Sequence, residues 1–141
     1  MSESKHSLLQ QIGRTGRAMY AAFEAEVGQP LPRWRILQHL SVQGELSQKQ
    51  LAQDLQMDPG ALTRQMKVLE RDGLVSRLSD ERDNRLTRVT LTPAARTLLR
   101  DSMAQRDGFI DKALDGLPPE QLESARQVLR QLEENFRAMV K

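Results

Sequence analysis

Three cations, Arg64, Lys67 and Arg71, recur at steps of three and four residues, with Thr63 beside the first. On a helix that spacing brings the positive groups to one face. Arginine can address guanine O6 and N7 with two parallel hydrogen bonds, and a threonine methyl can meet the methyl of thymine. Such a face has the chemistry to read duplex DNA. Most charge runs are only solvated faces, and taken alone these cations favour that bland reading. The elements around them decide between the two.

The same stretch carries Ala61, Leu62, Met66 and Leu69 as an apolar stripe, with Asp58 as an N-cap, Pro59 at the first helical position and Gly73 where a left-handed cap is wanted. Upstream, Ser47 and Gln50 fit a capping box opening a shorter helix that buries Leu51, Ala52 and Leu55. Two short helices joined by such a turn predict a helix-turn-helix, whose second helix reaches bases from its N-terminal residues. Thr63, Arg64 and Lys67 are then the reading candidates, and Arg71 meets a phosphate or an acid such as Asp72. Residues 74–78 and 86–91 alternate apolar with polar around a wholly polar 79–85, which predicts a hairpin with a charged tip. In that tip Arg82 and Arg85 compete as minor-groove candidates. Asp83 is assigned to bracing the loop.

Long amphipathic helices bracket this middle. Leu9, Ile12, Gly16, Met19 and Phe23 stripe a helix predicted over residues 6–27, and Trp34, Ile36, Leu37 and Leu40 a second one ending before Gly44, with Pro32 in its first turn. Thr92 and Pro93 open a further helix to about Asp115, its stripe interrupted by Ser102 and Arg106. The last is the most regular: Leu122, Ala125, Leu129, Leu132, Phe136 and Met139 alternate steps of three and four, a seam that seeks a partner helix. The expected fold is therefore mainly α with a small β-hairpin wing. A winged helix-turn-helix lobe spans residues 31–92, and residues 1–30 and 93–141 form a helical dimerisation region.

Composition narrows the function. The 141 residues hold no Cys, which excludes disulfide frameworks, thiolate zinc sites, iron-sulfur clusters and cysteine nucleophiles, and suits a reducing cytoplasm. Lys and Arg total 21 against 19 Asp and Glu, so any affinity for nucleic acid must come from how the charges are placed. The longest apolar run is residues 18–23, too short for a membrane span, and the first residues contain no apolar core of a secretory signal. An enzyme is not expected: the chain has no phosphate-binding glycine loop, no Gly-x-Ser-x-Gly and no His-Glu-x-x-His. With His6 and His39 as its histidines, a histidine metal cluster is not expected either.

Several short motifs together resemble the MarR family of winged-helix transcriptional regulators. They are Trp34 to Leu37, Leu51-Ala52, Leu62-Thr63-Arg64, the run from Leu69 through Gly73 to Val75, then Arg77 followed six residues later by Asp83-Asn84-Arg85, and finally Leu91-Thr92. The resemblance implies a homodimer in which the terminal helices interlock, with Leu9, Ile12, Leu122, Leu129, Leu132 and Phe136 in the dimerisation surface. It implies a repressor of a palindromic double-stranded DNA operator, with recognition helices about 34 Å apart in successive major grooves. Ser47, Lys49, Pro59, Gly60, Thr63, Arg64, Lys67, Arg71, Arg82 and Arg85 make up the expected contact set, and Arg88 joins Lys49 as a phosphate candidate. No cofactor is implied, but a small aromatic acid or phenol is the expected effector. Arg14, Arg17, Tyr20, Trp34 and His39 could furnish its cationic and aromatic contacts, although singly Trp34 reads as a core anchor, His39 as a structural histidine and the arginines as surface charges. A winged helix that docks on proteins instead of DNA is the competing reading.

Overall fold

Helix-end chemistry sets out most of the architecture. The structure, a computed structural model, describes residues 2–79, 81–82 and 85–140. Helix α1, Ser2–Val27, starts ahead of the predicted residue 6 and stops at Gly28, whose φ of 84° a side-chain-bearing residue rarely adopts. Helix α2, Leu31–Gln43, follows Pro30 and holds Pro32 in its first turn, where no intrahelical N–H is needed. Helix α3, Gln48–Leu55, and helix α4, Pro59–Arg71, form the helix-turn-helix, and the turn passes through Gln56 in a left-handed conformation at φ 54°.

The two caps differ from each other in an informative way. Asp58 accepts from the Ala61 amide at 3.0 Å, as its position before Pro59 predicts. Ser47 likewise accepts from the Gln50 amide at 3.0 Å, but Gln50 does not reach back to complete a box. Its amide donates forward to Asp54 Oδ1 at 2.6 Å, a charge-assisted partner that outcompetes a neutral one. At the other end of α4, Leu74 N–H donates to Leu69 O at 2.9 Å and Gly73 N–H to Glu70 O at 3.0 Å, the paired bonds of a Schellman cap around Gly73 at φ 74°.

The expected hairpin is part of a three-stranded antiparallel sheet. Strand β2, Val75–Ser79, pairs with β3, Thr87–Leu91, and β3 pairs on its other edge with a two-residue strand β1, Leu46–Ser47, with Leu46 opposite Val89. Thr92 closes this sheet onto the next helix: its N–H donates to Leu74 O, its hydroxyl donates to Gly73 O at 2.7 Å and accepts from the Ala95 amide at 3.2 Å. Helix α5, Pro93–Leu114, starts there, and α6, Pro119–Ala138, follows Gly116.

The chain forms two compact units, Met1–Phe109 and Ile110–Lys141. The first has one core. It includes Phe23 and Val27 of α1, Ile36, Leu37 and Leu40 of α2, Leu51 of α3, Leu62, Met66 and Leu69 of α4, Val89 of β3 and Leu99 of α5. Trp34 sits in that core at 5% exposure, edge-on to Phe23 with ring centroids 5.7 Å apart, while Phe109 meets Phe23 at 5.3 Å. The two residues that interrupt the α5 stripe both serve this tryptophan. Its indole N–H donates to Ser102 Oγ at 3.0 Å, and the Arg106 guanidinium lies 5.5 Å from its ring centroid.

In the second unit α6 buries no residue: Leu129 and Phe136 are 51% and 45% exposed, and Leu122 and Leu132 are half-buried. Its polar side carries Glu123 paired with Arg126 and Glu133 paired with Arg137. On α1, Leu9 is likewise exposed and Ile12 half-buried, and a Cβ added at Gly16 would meet nothing within 4 Å. Among the described residues no helix is long and apolar enough to cross a membrane.

Replacing Ser102 by Ala strands the buried indole N–H and should lower stability by about 1–3 kcal/mol. Urea unfolding monitored by tryptophan fluorescence checks this, with the midpoint falling and the slope unchanged; an unchanged midpoint refutes it.

Candidate nucleic-acid interface

Helix α4 presents the predicted reading residues on a scaffold fixed at both ends. Leu62, Met66 and Leu69 are fully buried, so Arg64 and Lys67 are turned outward and exposed, while Thr63 lies on the flank, half-buried against Gln48. Neither of these two cations has an ion pair among the described residues. Pro59 stands at the first helical position, and next to it Gly60 is pinned by crowding: a Cβ there would come within 3.0 Å of the capping Asp58 Oδ2 and 3.7 Å of Arg64 Nη1. A side chain at position 60 therefore presses on the cap.

Four other cations of the lobe, Arg33, Arg71, Arg77 and Arg88, meet acids. Arg71 Nε lies 3.4 Å from Asp72 Oδ1, and with its side chain 73% exposed it remains open to a phosphate as well. Asp72 takes a stronger partner in Arg33 of α2, at 2.7 Å, and Glu70 accepts from Arg77 of β2 at 3.0 Å. Arg88, expected as a phosphate contact, instead donates to Glu45 Oε1 at 2.6 Å. Lys49 is exposed on α3 without an ion pair among the described residues, while the Ser47 hydroxyl is occupied by its own cap.

In the wing, Arg82 and Arg85 are both exposed, and Arg82 borders an open hollow of about 450 Å³ with Glu45, Leu78, Ser79, Glu81 and Arg88. The bracing expected of Asp83 lies outside the described residues.

The five residues expected around an effector have different surroundings. Arg14 and Arg17 border a shallow hollow on α1 with Leu9, Gln10 and Gly13, and Tyr20 is exposed further along the same helix. Trp34 is core, its polar N–H already satisfied. His39 Nε2 lies 2.9 Å from Asp54 Oδ2, tying α2 to α3. Two contributions went unread in the sequence: Gln48, whose amide donates to Thr63 Oγ1 at 3.1 Å, and Arg33, whose partner is 39 positions away. Neither residue type nor spacing signals them.

Hydrogen bonding shifts the three acids of this region in one direction. The Arg77 guanidinium holds the Glu70 carboxyl below its ordinary value, Arg33 does the same to Asp72, and His39 with Gln50 does so to Asp54.

With this geometry in view, comparison with known proteins is decisive. The MarR family model matches residues 30–87. The HTH-type transcriptional regulator YdgJ of Bacillus subtilis is 30% identical over 129 residues, covering 92% of this chain and 79% of that one. The chain belongs to the MarR family. As a MarR-family protein it is a DNA-binding transcriptional regulator with a winged-helix fold. Solved structures agree on the fold: a mutant MarR from E. coli complexed with operator DNA superposes with a TM-score of 0.83 at 18% identity, over 89% of this chain and 93% of that one. Bordetella bronchiseptica BpsR, whose DNA binding is regulated by 6-hydroxynicotinic acid, gives a TM-score of 0.80 at 20% identity, over 90% of this chain and 98% of that one.

Because Glu70 and Asp72 titrate lower when folded than when unfolded, each contributes stability above its unfolded value and loses it as pH falls through the folded one. The hold on α4 should weaken below about pH 4. A Glu70→Gln, Asp72→Asn double variant should show a shallower fall of melting temperature than the parent between about pH 6 and about pH 3. Parallel curves would mean that these acids do not couple to folding.

Proposed function

We propose that the protein binds a palindromic DNA operator as a homodimer, represses transcription there, and releases the operator when a small aromatic acid or phenol binds. The observation that carries this reading is the sorting of cations: Arg33, Arg71, Arg77 and Arg88 are paired with acids, whereas Arg64 and Lys67 on α4 have no ion pair among the described residues. Unpaired cations on a capped helix of a helix-turn-helix are what phosphates and guanine edges require. Such a role puts the protein in the cytoplasm.

Thr63, Arg64 and Lys67 are the base readers, Lys49 meets a phosphate, and one of the two competing wing arginines, Arg82 or Arg85, extends the contact into the flanking minor groove. The homodimer is supported by the uncovered apolar stripe of α6, with Leu122, Leu129, Leu132 and Phe136, and by Leu9 and Ile12 on α1. For the effector, the regulation of BpsR by an aromatic acid is the supporting likeness, and Arg14, Arg17 and Tyr20 are the exposed groups suited to a carboxylate and a ring. Such a guest must prefer the conformation whose recognition helices no longer match the grooves, since equal affinity for both states shifts nothing.

Selection from a random duplex library, with and without a panel of aromatic carboxylates and phenols, tests the whole reading. An enriched palindrome with half-sites about one helical turn apart is expected, and its loss with one compound identifies the effector. No enrichment at low salt would favour a protein-docking module. Arg64→Ala should weaken operator binding by about 1–3 kcal/mol and relax base preference at one position per half-site; an unchanged preference removes it from the readers. Leu132→Asp should convert the dimer to monomer in sedimentation, because it buries an unpaired charge in the seam, and a dimer that persists would locate the interface elsewhere.

A further inference from the structure

Nothing in residue type or spacing singles out Gln48, the first residue of α3, yet it is bonded to a reading candidate. Its amide donates to Thr63 Oγ1 at 3.1 Å, and Thr63 Oγ1 in turn donates to the Pro59 carbonyl one turn back at 2.9 Å. A threonine hydroxyl has a single proton. With that proton on Pro59, the hydroxyl has none left for a base. The guanine O6 and N7, the adenine N7 and the thymine O4 exposed in the major groove are all acceptors and need a donor. Gln48 is half-buried and its amide nitrogen is engaged by Thr63, which ties α3 to this side chain of α4. Against these acceptor edges, the remaining group of Thr63 that can discriminate is its methyl.

We propose that Gln48 is a positioning residue that keeps the Thr63 hydroxyl turned inward, so that Thr63 selects thymine through the base's 5-methyl group. This rests on the operator-reading function proposed above. Gln48 thereby influences sequence preference without touching DNA.

The test replaces thymine by uracil, one position at a time, in the selected operator, which removes the methyl and leaves every hydrogen-bonding group unchanged. Wild-type protein should bind roughly fourfold more weakly when uracil occupies one particular position of a half-site. Thr63→Val, which keeps a methyl and lacks the hydroxyl, should retain that sensitivity, and Thr63→Ser should lose it. Gln48→Met, close in size but without a donor, leaves the hydroxyl held inward by the Pro59 carbonyl alone, one bond instead of two, and so lets it turn more readily toward a purine N7. It should shrink the uracil effect and admit purines at that position, while melting temperature and affinity for random duplex stay unchanged. A merely structural Gln48 would move those last two instead. Uracil tolerated at every position, or sensitivity retained in Thr63→Ser, overturns the proposal with operator binding intact; absence of any bound duplex overturns the operator-reading function along with it.

Discussion

The direction in which α4 points is set where Glu70 and Asp72 hold arginines from two other elements, Arg77 on β2 and Arg33 on α2. The energy that keeps α4 in the lobe has a different source. Leu62, Met66 and Leu69 are fully buried, and each such side chain contributes about 1.5–3 kcal/mol, while ion pairs exposed to water contribute little. Apolar burial has no preferred direction, however, and a greasy face alone tolerates rolling and sliding. Two carboxylate-guanidinium contacts at the end of the helix, Glu70 with Arg77 and Asp72 with Arg33, add direction to that burial. Each contact is made by an outer nitrogen of the guanidinium, and the Nε atoms of both arginines are sealed without a hydrogen-bond partner among the described residues.

This anchoring also decides which cations remain for DNA. The totals, 21 basic against 19 acidic residues, give no indication of a DNA-binding surface. The fold produces one by local pairing: Arg33, Arg77 and Arg88 meet acids, and Arg71 is drawn to Asp72. Arg64 and Lys67 on α4, with Lys49 on α3, are among the cations left exposed and without an ion pair among the described residues. A local field can thus be strongly positive on a nearly neutral chain.

Features written in a few adjacent residues were legible in the sequence. Asp58 before Pro59, Gly73 after α4 and Thr92 before Pro93 all act at short range, and each appears in the structure as expected. Features that depend on a distant partner were not. The two-residue strand β1 exists because Leu46 and Ser47 find Val89 and Arg88, more than forty positions on, and two residues show no alternation of their own. Gln50 seemed to complete a capping box until Asp54 offered it a charged acceptor. Ser102 and Arg106 interrupt the apolar stripe in the sequence and in the structure are the polar and cationic partners of Trp34. Periodicity registers where apolar surface lies; it carries no information on which buried polar group needs an answer.

The same distinction bears on α6. Its stripe is the most regular in the sequence, and yet no residue of the helix is buried. Isolated helices of this length are marginal in water, and most helical stability comes from packing an amphipathic face. A face with Leu129 and Phe136 half exposed therefore leaves free energy unrealised until another apolar surface covers it. If a second copy supplies that surface, as proposed, the covering of α6 and the pairing of two reading helices are one event. Folding of the terminal unit, dimer formation and operator affinity would then all rise with protein concentration, and a ligand that disturbs the helices at the seam would act on DNA binding without approaching α4.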